Sequence, residues 1–264
     1  MRARLGPALV GRVFESVEIL DSRLTRPLDP AEVAAELEGE RVETVDRRGK
    51  YLVVRFESGL VLLVHLRMTG GFVHRRNGSA DARHTRAVVR LDDGSDVMYR
   101  DVRRFGTWLV LRADELDAYL APRLGDEPLG DAFSTEALRE RLSGRRAPVK
   151  AALLDQRTLA GLGNIYADEA LWRARIDPRR AAGDLATEEL RRLHRGIRGA
   201  LRAGIERQGA TLRDYRAPDG ARGRMQEEFK VYGRGGEPCP RCRTPIEKTR
   251  LGGRSTWFCP HCQS

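Results

Sequence analysis

Two pairs of cysteines constrain this chain more than any other feature. Cys239-Pro-Arg-Cys242 and Cys259-Pro-His-Cys262 lie near the C-terminus with sixteen residues between them. Each C-x2-C sets two thiols on one tight knuckle, and a tetrahedral Zn2+ needs two such knuckles facing each other, which a short hairpin supplies. Cys239, Cys242, Cys259 and Cys262 are therefore expected to hold one Zn2+. Four thiolates leave no open coordination position, so the metal is structural. The competing arrangement, a pair of disulfides in a secreted protein, needs an apolar leader, and Arg2, Arg4, Gly6, Pro7, Gly11 and Arg12 interrupt Met1 to Leu20. A cytoplasmic protein is the expectation. His261, inside the second knuckle, is expected to face solvent.

Charge supplies the next constraint. Lys and Arg total 48 against 38 Asp and Glu in 264 residues, a net charge of +10. Such an excess favours a polyanionic partner, and without a basic amphipathic anchor that partner is nucleic acid, not a membrane surface. Lys50, Lys150, Lys230 and Lys248 are the only lysines among those 48 cations. Arginine thus fills nearly every position where either cation would serve, which sets each surviving lysine apart, although chance survival is the starting assumption for any one of them.

Short apolar runs separated by turn signals occupy Arg12 to Leu20, Tyr51 to Phe56, Leu60 to Leu66, Ala87 to Leu91, Asp96 to Tyr99 and Thr107 to Leu111, with hairpin turns at Ser58-Gly59 and Asp92-Asp93-Gly94. One helix, Asp29-Pro30 through Leu37, begins with an Asp cap and a proline in its first turn. This half reads as an antiparallel sandwich or barrel. After Ala113 the period becomes helical, near Asp114 to Leu120, Ser134 to Leu142, Pro148 to Gln156, Asn164 to Ala174 and Thr187 to Arg207. In the last, Leu190, Leu193, Ile197, Leu201 and Ile205 form an apolar stripe, with Arg191, Arg192, Arg195, Arg198 and Arg202 on a solvated face. A boundary near 113–132 and a Gly, Pro and Arg-rich linker at Asp214 to Arg224 divide the chain into a β module (1–112), a helical module (113–224) and a zinc hairpin (225–264).

Several segments could carry chemistry. Gly161-Leu162-Gly163-Asn164 joins two helices, and Asn164 with the free N–H groups of the following helix start makes an anion site suited to a phosphate. A purely structural corner would use the same glycines, but here the turn is followed by an Arg-rich loop and a hairpin tipped by Arg254. Asp101-Val102-Arg103-Arg104-Phe105-Gly106 sets two cations and an aromatic beside a glycine at a strand junction, where Arg103 can occupy a vacated base position and Phe105 can wedge between base steps. Met68, in His65-Leu66-Arg67-Met68-Thr69-Gly70, could supply another wedge; core packing is the ordinary alternative for Met68 and Phe105. Lys50 enters a strand behind Arg47 and Arg48, where a lysine can act as nucleophile, proton donor or phosphate contact.

Taken together, Arg48-Gly49-Lys50-Tyr51-Leu52, His65 to Gly70, Arg103-Arg104-Phe105-Gly106, Gly161 to Ala167, Val231-Tyr232-Gly233-Arg234, Gly253-Arg254-Ser255-Thr256 and the four cysteines resemble the formamidopyrimidine-DNA glycosylase family, in order from about residue 2 to 264. The resemblance implies an α+β multidomain fold with an N-terminal antiparallel β-sandwich, a helix-two-turns-helix domain and a C-terminal zinc-finger β-hairpin. It also implies a monomer of a bacterial-type cytoplasm, associated with the nucleoid, that grips double-stranded DNA containing damaged bases in a cleft. The implied activity is base-excision repair: removal of oxidised purines such as 8-oxoguanine and formamidopyrimidines, then β,δ-elimination at the abasic site. Met68, Arg103 and Phe105 fall where the family fills the gap left by the flipped nucleotide. Lys50, His84, Arg146, Asn164 and Arg254 fall on DNA-contacting positions, and Lys50 and Arg254 also on positions with catalytic roles. The family's base-recognition loop maps near Pro218 to Gln226, with Met225 where an aromatic is common.

Family members begin Met-Pro-Glu-Leu-Pro-Glu, and after Met removal the proline amine attacks the sugar C1′ to form a Schiff base, the adjacent Glu assisting ring opening. This chain begins Met1-Arg2-Ala3-Arg4. One expectation is a start assigned too late, since Met1 falls where the family has Val and a GTG codon misread as initiator would give this N-terminus. The alternatives are a lesion-binding protein that does not excise, a zinc-ribbon DNA-binding regulator, and a relative acting on oxidised pyrimidines, against which Arg103-Arg104-Phe105-Gly106 favours the purine branch.

Overall fold

The computed structural model describes residues 1–76, 83–212 and 216–264, so Asp214 and Tyr215 of the expected linker lie outside the described residues. Two compact units emerge: Met1–Leu120 with Thr211–Gly223, and Ala121–Ala210 with Arg224–Ser264.

The first unit is built on two four-stranded antiparallel sheets. One runs in the order β1 (Phe14–Ile19), β6 (Thr85–Leu91), β7 (Asp96–Asp101), β5 (Gly70–Arg75); the other runs β2 (Val42–Arg48), β3 (Tyr51–Phe56), β4 (Leu60–His65), β8 (Thr107–Arg112). Their inner faces share one core that includes Val17, Val89 and Tyr99 from the first sheet and Val54, Leu62 and Trp108 from the second. A sandwich is therefore the architecture, since two antiparallel sheets bury one shared core between them. The hairpin turns fall where expected, with Gly59 and Gly94 at φ +85° and +77°, values only glycine adopts at little cost. Helix α2 (Pro30–Leu37) starts on Asp29, whose side chain accepts from the Ala31 N–H at 2.8 Å.

Three elements are absent from the sequence reading. Helix α1 (Arg2–Leu9) forms despite Gly6 and Pro7, because Leu5 and Leu9 bury completely or nearly so against the sandwich core. Each such leucine contributes about 1.5–3 kcal/mol, enough to override a poor local propensity. Strands β2 and β5 are both sheet edges. In β2 only Val42 and Val45 are buried, and β5 opens with Gly70-Gly71, so neither has the alternation that marks a half-buried strand.

The second unit contains α4 (Thr135–Leu142), α5 (Val149–Leu154), α6 (Asn164–Ala174), α7 (Thr187–Glu206) and the two-stranded hairpin β9 (Glu247–Leu251) and β10 (Arg254–Phe258), while α3 (Glu115–Leu120) belongs to the first. The α7 stripe is corrected in part. Leu190, Leu193 and Ile197 are buried, but Ile205 is 66% exposed and Leu201 only half-buried. Gly196, Ala200 and Gly204 take the buried positions instead. A Cβ on Gly196 would lie 2.7 Å from the Ala170 carbonyl of α6 and one on Gly204 2.4 Å from the Tyr166 hydroxyl, so these glycines admit the backbone and a side chain of the neighbouring helix. Two of the arginines assigned to solvent are also structural: Arg192 donates to the Ala174 carbonyl at 2.9 Å and Arg198 to those of Pro128 and Gly130 at 3.2 and 3.1 Å.

Candidate functional site

In the first unit, the ends of β4 and β7 present an exposed group. Met68 is 62% exposed and Phe105 53%, so neither is a core residue. Arg103 is exposed, stacks its guanidinium over the Phe105 ring at 4.8 Å, and pairs with no carboxylate among the described residues. Its neighbour is different: Arg104, with φ 60°, is also exposed but is tied down, donating from Nε to buried Asp21 at 2.5 Å. The Arg104 guanidinium and the Arg23 N–H hold the Asp21 carboxyl below its ordinary value against the opposing effect of burial. One arginine of the pair is thus structural and the other is free to meet a ligand.

Asp101 organises this group. It is 1% exposed, and its Oδ2 accepts from the Phe105 and Gly106 N–H groups at 2.9 and 2.7 Å. Its Oδ1 accepts from the Arg103 N–H at 3.1 Å and from the Thr69 hydroxyl, whose oxygen in turn accepts from the Arg103 N–H at 3.0 Å. The Asp101 N–H donates to the His84 carbonyl at 2.9 Å, which places half-buried His84, at φ 68°, beside the same junction.

Lys50 is exposed in the β2–β3 turn, and Tyr51 next to it packs edge-on against His65 with ring centroids 4.8 Å apart. His65 Nδ1 accepts from the Arg67 N–H at 3.0 Å. Burial, then the positive charges of Arg67 and Lys50, push the His65 imidazole down to about 4. The ring is therefore neutral at neutral pH, and the two cations beside it form an anion-attracting patch. The loop at Pro218 to Gln226 divides between the units. In the first, the Pro218 carbonyl accepts from the His74 N–H at 3.1 Å and Asp219 pairs with Arg4. Met225, in the second, is completely buried and is a packing residue.

In the second unit, Gly161, at φ +84°, opens the turn between α5 and α6. Gln156 braces it by donating to the Leu154 and Leu162 carbonyls at 2.9 and 3.0 Å and accepting from the Gly161 N–H at 2.9 Å. Asn164 begins α6, whose start carries no side-chain cap. Its amide donates to the Ser255 carbonyl at 3.0 Å, a bond the sequence did not reveal, tying the helix start to the residue after Arg254. Arg254 is exposed beyond Gly252 and Gly253, both at positive φ. Arg146 is exposed in the α4–α5 loop, and no hydrogen bond joins it to Asn164 or Arg254 among the described residues.

Lys150 is completely buried, with Nζ 2.7 Å from Asp168 Oδ1 and donating to Ser255 O and Thr256 Oγ1 at 2.8 Å each. Asp168 Oδ2 accepts from the Trp257 N–H at 3.2 Å. Glu169, equally buried, accepts from the N–H groups of Lys230, Val231 and Tyr232 at 2.9 to 3.0 Å. Adjacent acids on α6 therefore hold the segments that precede each of the two cysteine pairs. The four Sγ atoms lie within 4.8 Å of one another, with Trp172 Nε1 directed at Cys239 Sγ at 3.5 Å, while His261 is exposed and outside the set. Four convergent thiols with no competing oxygen ligand fit a tetrahedral Zn2+.

Sequence reasoning missed Asp101, Thr69, Asp21, Gln156, Lys150 and the acid pair of α6. Asp101 was within reach, since an Asp opening a loop commonly accepts from the N–H two residues on. Lys150 was visible in the lysine scarcity but indistinguishable there from Lys50.

Comparison with known proteins identifies the family. Three family models match: the formamidopyrimidine-DNA glycosylase N-terminal domain over residues 1–108, the formamidopyrimidine-DNA glycosylase H2TH domain over 124–216, and a zinc finger found in FPG and IleRS over 236–264. The formamidopyrimidine-DNA glycosylase of Roseiflexus sp. (strain RS-1) is 46% identical over 260 residues, covering 98% of this chain and 95% of the relative. A complex of Lactococcus lactis Fpg with abasic-site DNA superposes with a TM-score of 0.93 at 35% identity, covering 100% of this chain and 96% of that one. The crystal structure of the MutM (Fpg) protein from Thermus thermophilus gives 0.88 at 44% identity, covering 99% and 95%. The zinc-finger match and the thiol cluster assign one structural zinc to Cys239, Cys242, Cys259 and Cys262. No helix among the described residues is long and apolar enough to cross a membrane. With its sandwich, its helical module and its four-cysteine finger each matched, this chain belongs to the formamidopyrimidine-DNA glycosylase family.

Proposed function

We propose that the protein excises oxidised purines, 8-oxoguanine and formamidopyrimidines, from double-stranded DNA and opens the abasic site by β,δ-elimination. The observation that carries this reading is the exposed set Met68, Arg103 and Phe105. An apolar side chain, a free guanidinium and an aromatic ring, held on a rigid junction, are what is needed to fill a duplex from which a nucleotide has been extruded. Lys50 and Arg254 act at the sugar and phosphates of the damaged nucleotide. His84, Arg146 and Asn164 contact the backbone, setting register without reading sequence. Loss of Arg146 or Arg254 should reduce the salt dependence of binding by about one phosphate's worth of counterion release.

The family's nucleophile is an N-terminal proline amine, which residues 1–264 do not contain. Borohydride trapping on 8-oxoguanine and thymine glycol duplexes, using residues 1–264 and the same chain translated with its natural upstream codons, tests the reading. The expected result is a covalent adduct, formed faster on 8-oxoguanine. Lesion-selective binding with no adduct from either chain would make it a non-excising lesion binder, and equal binding to undamaged duplex would refute damage recognition altogether. The Lactococcus lactis Fpg has been crystallised with DNA containing an oxidised pyrimidine, so faster trapping on thymine glycol would move the preference to that class.

A further inference from the structure

We propose that Asp101 is a positioning residue for damaged-DNA recognition, locking the Met68 segment and the Arg103–Phe105 segment into one rigid wedge. The proposal rests on the void-filling reading of those three side chains. The two segments are separated by more than thirty residues in sequence, since Thr69 and Arg103 are 34 apart, yet they meet at one carboxylate. Oδ1 takes the Thr69 hydroxyl and the Arg103 N–H; Oδ2 takes the Phe105 and Gly106 N–H groups. An ionised carboxylate has the acceptor sites for all four donors, whereas a carboxamide has one oxygen and would turn an NH2 toward one pair of donors.

A second feature fixes the same junction from below. Tyr99 is completely buried and its hydroxyl has no hydrogen-bond partner among the described residues. A Cβ on Gly70 would lie 2.2 Å from that hydroxyl and one on Gly106 only 1.7 Å from it. Glycine at both positions lets both segments close onto the Tyr99 ring. Arg67 and Arg104 adopt φ values of 53° and 60°, a region that non-glycine residues occupy only when their surroundings enforce it. Arg104 is held by its ion pair with Asp21, while Arg103 and Phe105 are exposed and outside that pair. Wedge residues held this way need not be ordered when DNA binds, so their insertion costs less conformational entropy.

The test uses the zinc-loaded full chain and requires no chemistry. A duplex carrying a tetrahydrofuran abasic analogue beside 2-aminopurine reports insertion by its fluorescence, and an undamaged duplex measures general affinity. Asp101→Asn, Phe105→Ala and the double variant are compared, with Thr69→Val removing only the hydroxyl donor and Thr69→Ser restoring it. Asp101→Asn should lower the preference for tetrahydrofuran duplex by about tenfold with undamaged binding unchanged, and the double variant should lose no more than about twofold beyond the worse single. Thr69→Val should share the loss and Thr69→Ser should not, which keeps the proposal testable if Asp101→Asn does not fold. Full discrimination by Asp101→Asn, or by Thr69→Val where Asp101→Asn is unfolded, would overturn it, as would a loss that multiplies with that of Phe105→Ala. A Phe105→Ala protein that discriminates normally would instead overturn the void-filling reading, and the proposal with it.

Discussion

Removing the ammonium of Lys150 should be among the most damaging single changes in the second unit. Both Lys150 and Asp168 side chains are 0% exposed and 2.7 Å apart. Burial pulls the lysine down and pushes the aspartate up, and their mutual attraction opposes both shifts. Lys150→Met would leave a carboxylate buried without its counter-ion, take the lysine donor from Thr256 Oγ1 and leave Ser255 O only the Asn164 amide. Breaking a buried pair from one side costs about 3–5 kcal/mol. In a unit of this size that is roughly 10 °C or more in melting temperature. Lys150→Met with Asp168→Leu removes both charges and leaves only unpaired neutral groups, among them the Trp257 N–H, at a cost of about 1–3 kcal/mol. Urea unfolding of the zinc-loaded chain, followed by tryptophan emission, measures these two variants and the Asp168→Leu single. The double-mutant cycle should return a coupling of at least about 2 kcal/mol. A Lys150→Met protein destabilised by less than about 1 kcal/mol, or strictly additive single effects, would refute the view that this pair fastens α5 and α6 to β10.

Acid should weaken the first unit through His65. Its folded pKa is pushed from 6.5 to about 4, so its contribution is full above pH 6.5 and is lost as the pH falls through that window to 4. Discounted for partial exposure, the effect is about 1–2 kcal/mol. His65→Gln should flatten the stability slope between those pH values, and an unchanged slope would rule the assignment out. Chelation of zinc should unfold the β9–β10 hairpin, because Cys239 and Cys259 sit in one small core with Val231 and Ile246; hydrogen exchange there should accelerate while β3 and β4 stay protected, and retained protection in the hairpin would contradict the structural role. Gly106→Ala should cost about 1–3 kcal/mol by driving a methyl into Tyr99. Tyr99→Phe should relieve only part of this, since Cζ remains 2.8 Å from the new methyl, and a Gly106→Ala chain of wild-type stability would disprove the close approach.

Local pattern was sufficient where a segment's own chemistry decides its conformation. Helix α6 runs over Asn164–Ala174 as its period indicates, and the Asp29 cap and both hairpin turns follow from residues within a few positions of one another. It failed at β2, β5 and α1, whose conformations are imposed by neighbours: two are edge strands paired on one side, and the third is a helix held by two buried leucines.

The same division runs through the site. The cysteine spacing determined a zinc hairpin, because four thiols in two tight knuckles admit few other arrangements. The net charge pointed to a polyanion, and the motifs supplied the candidate residues for meeting it. Only the tertiary structure could separate Arg103 from Arg104, or Lys50 from Lys150, since exposure and partners are absent from a one-dimensional string. It alone reveals that one carboxylate, Asp101, gathers donors from two distant segments, and that one lysine was retained where its slender, compact ammonium is enclosed by three oxygen atoms that arginine's broad fork would not match.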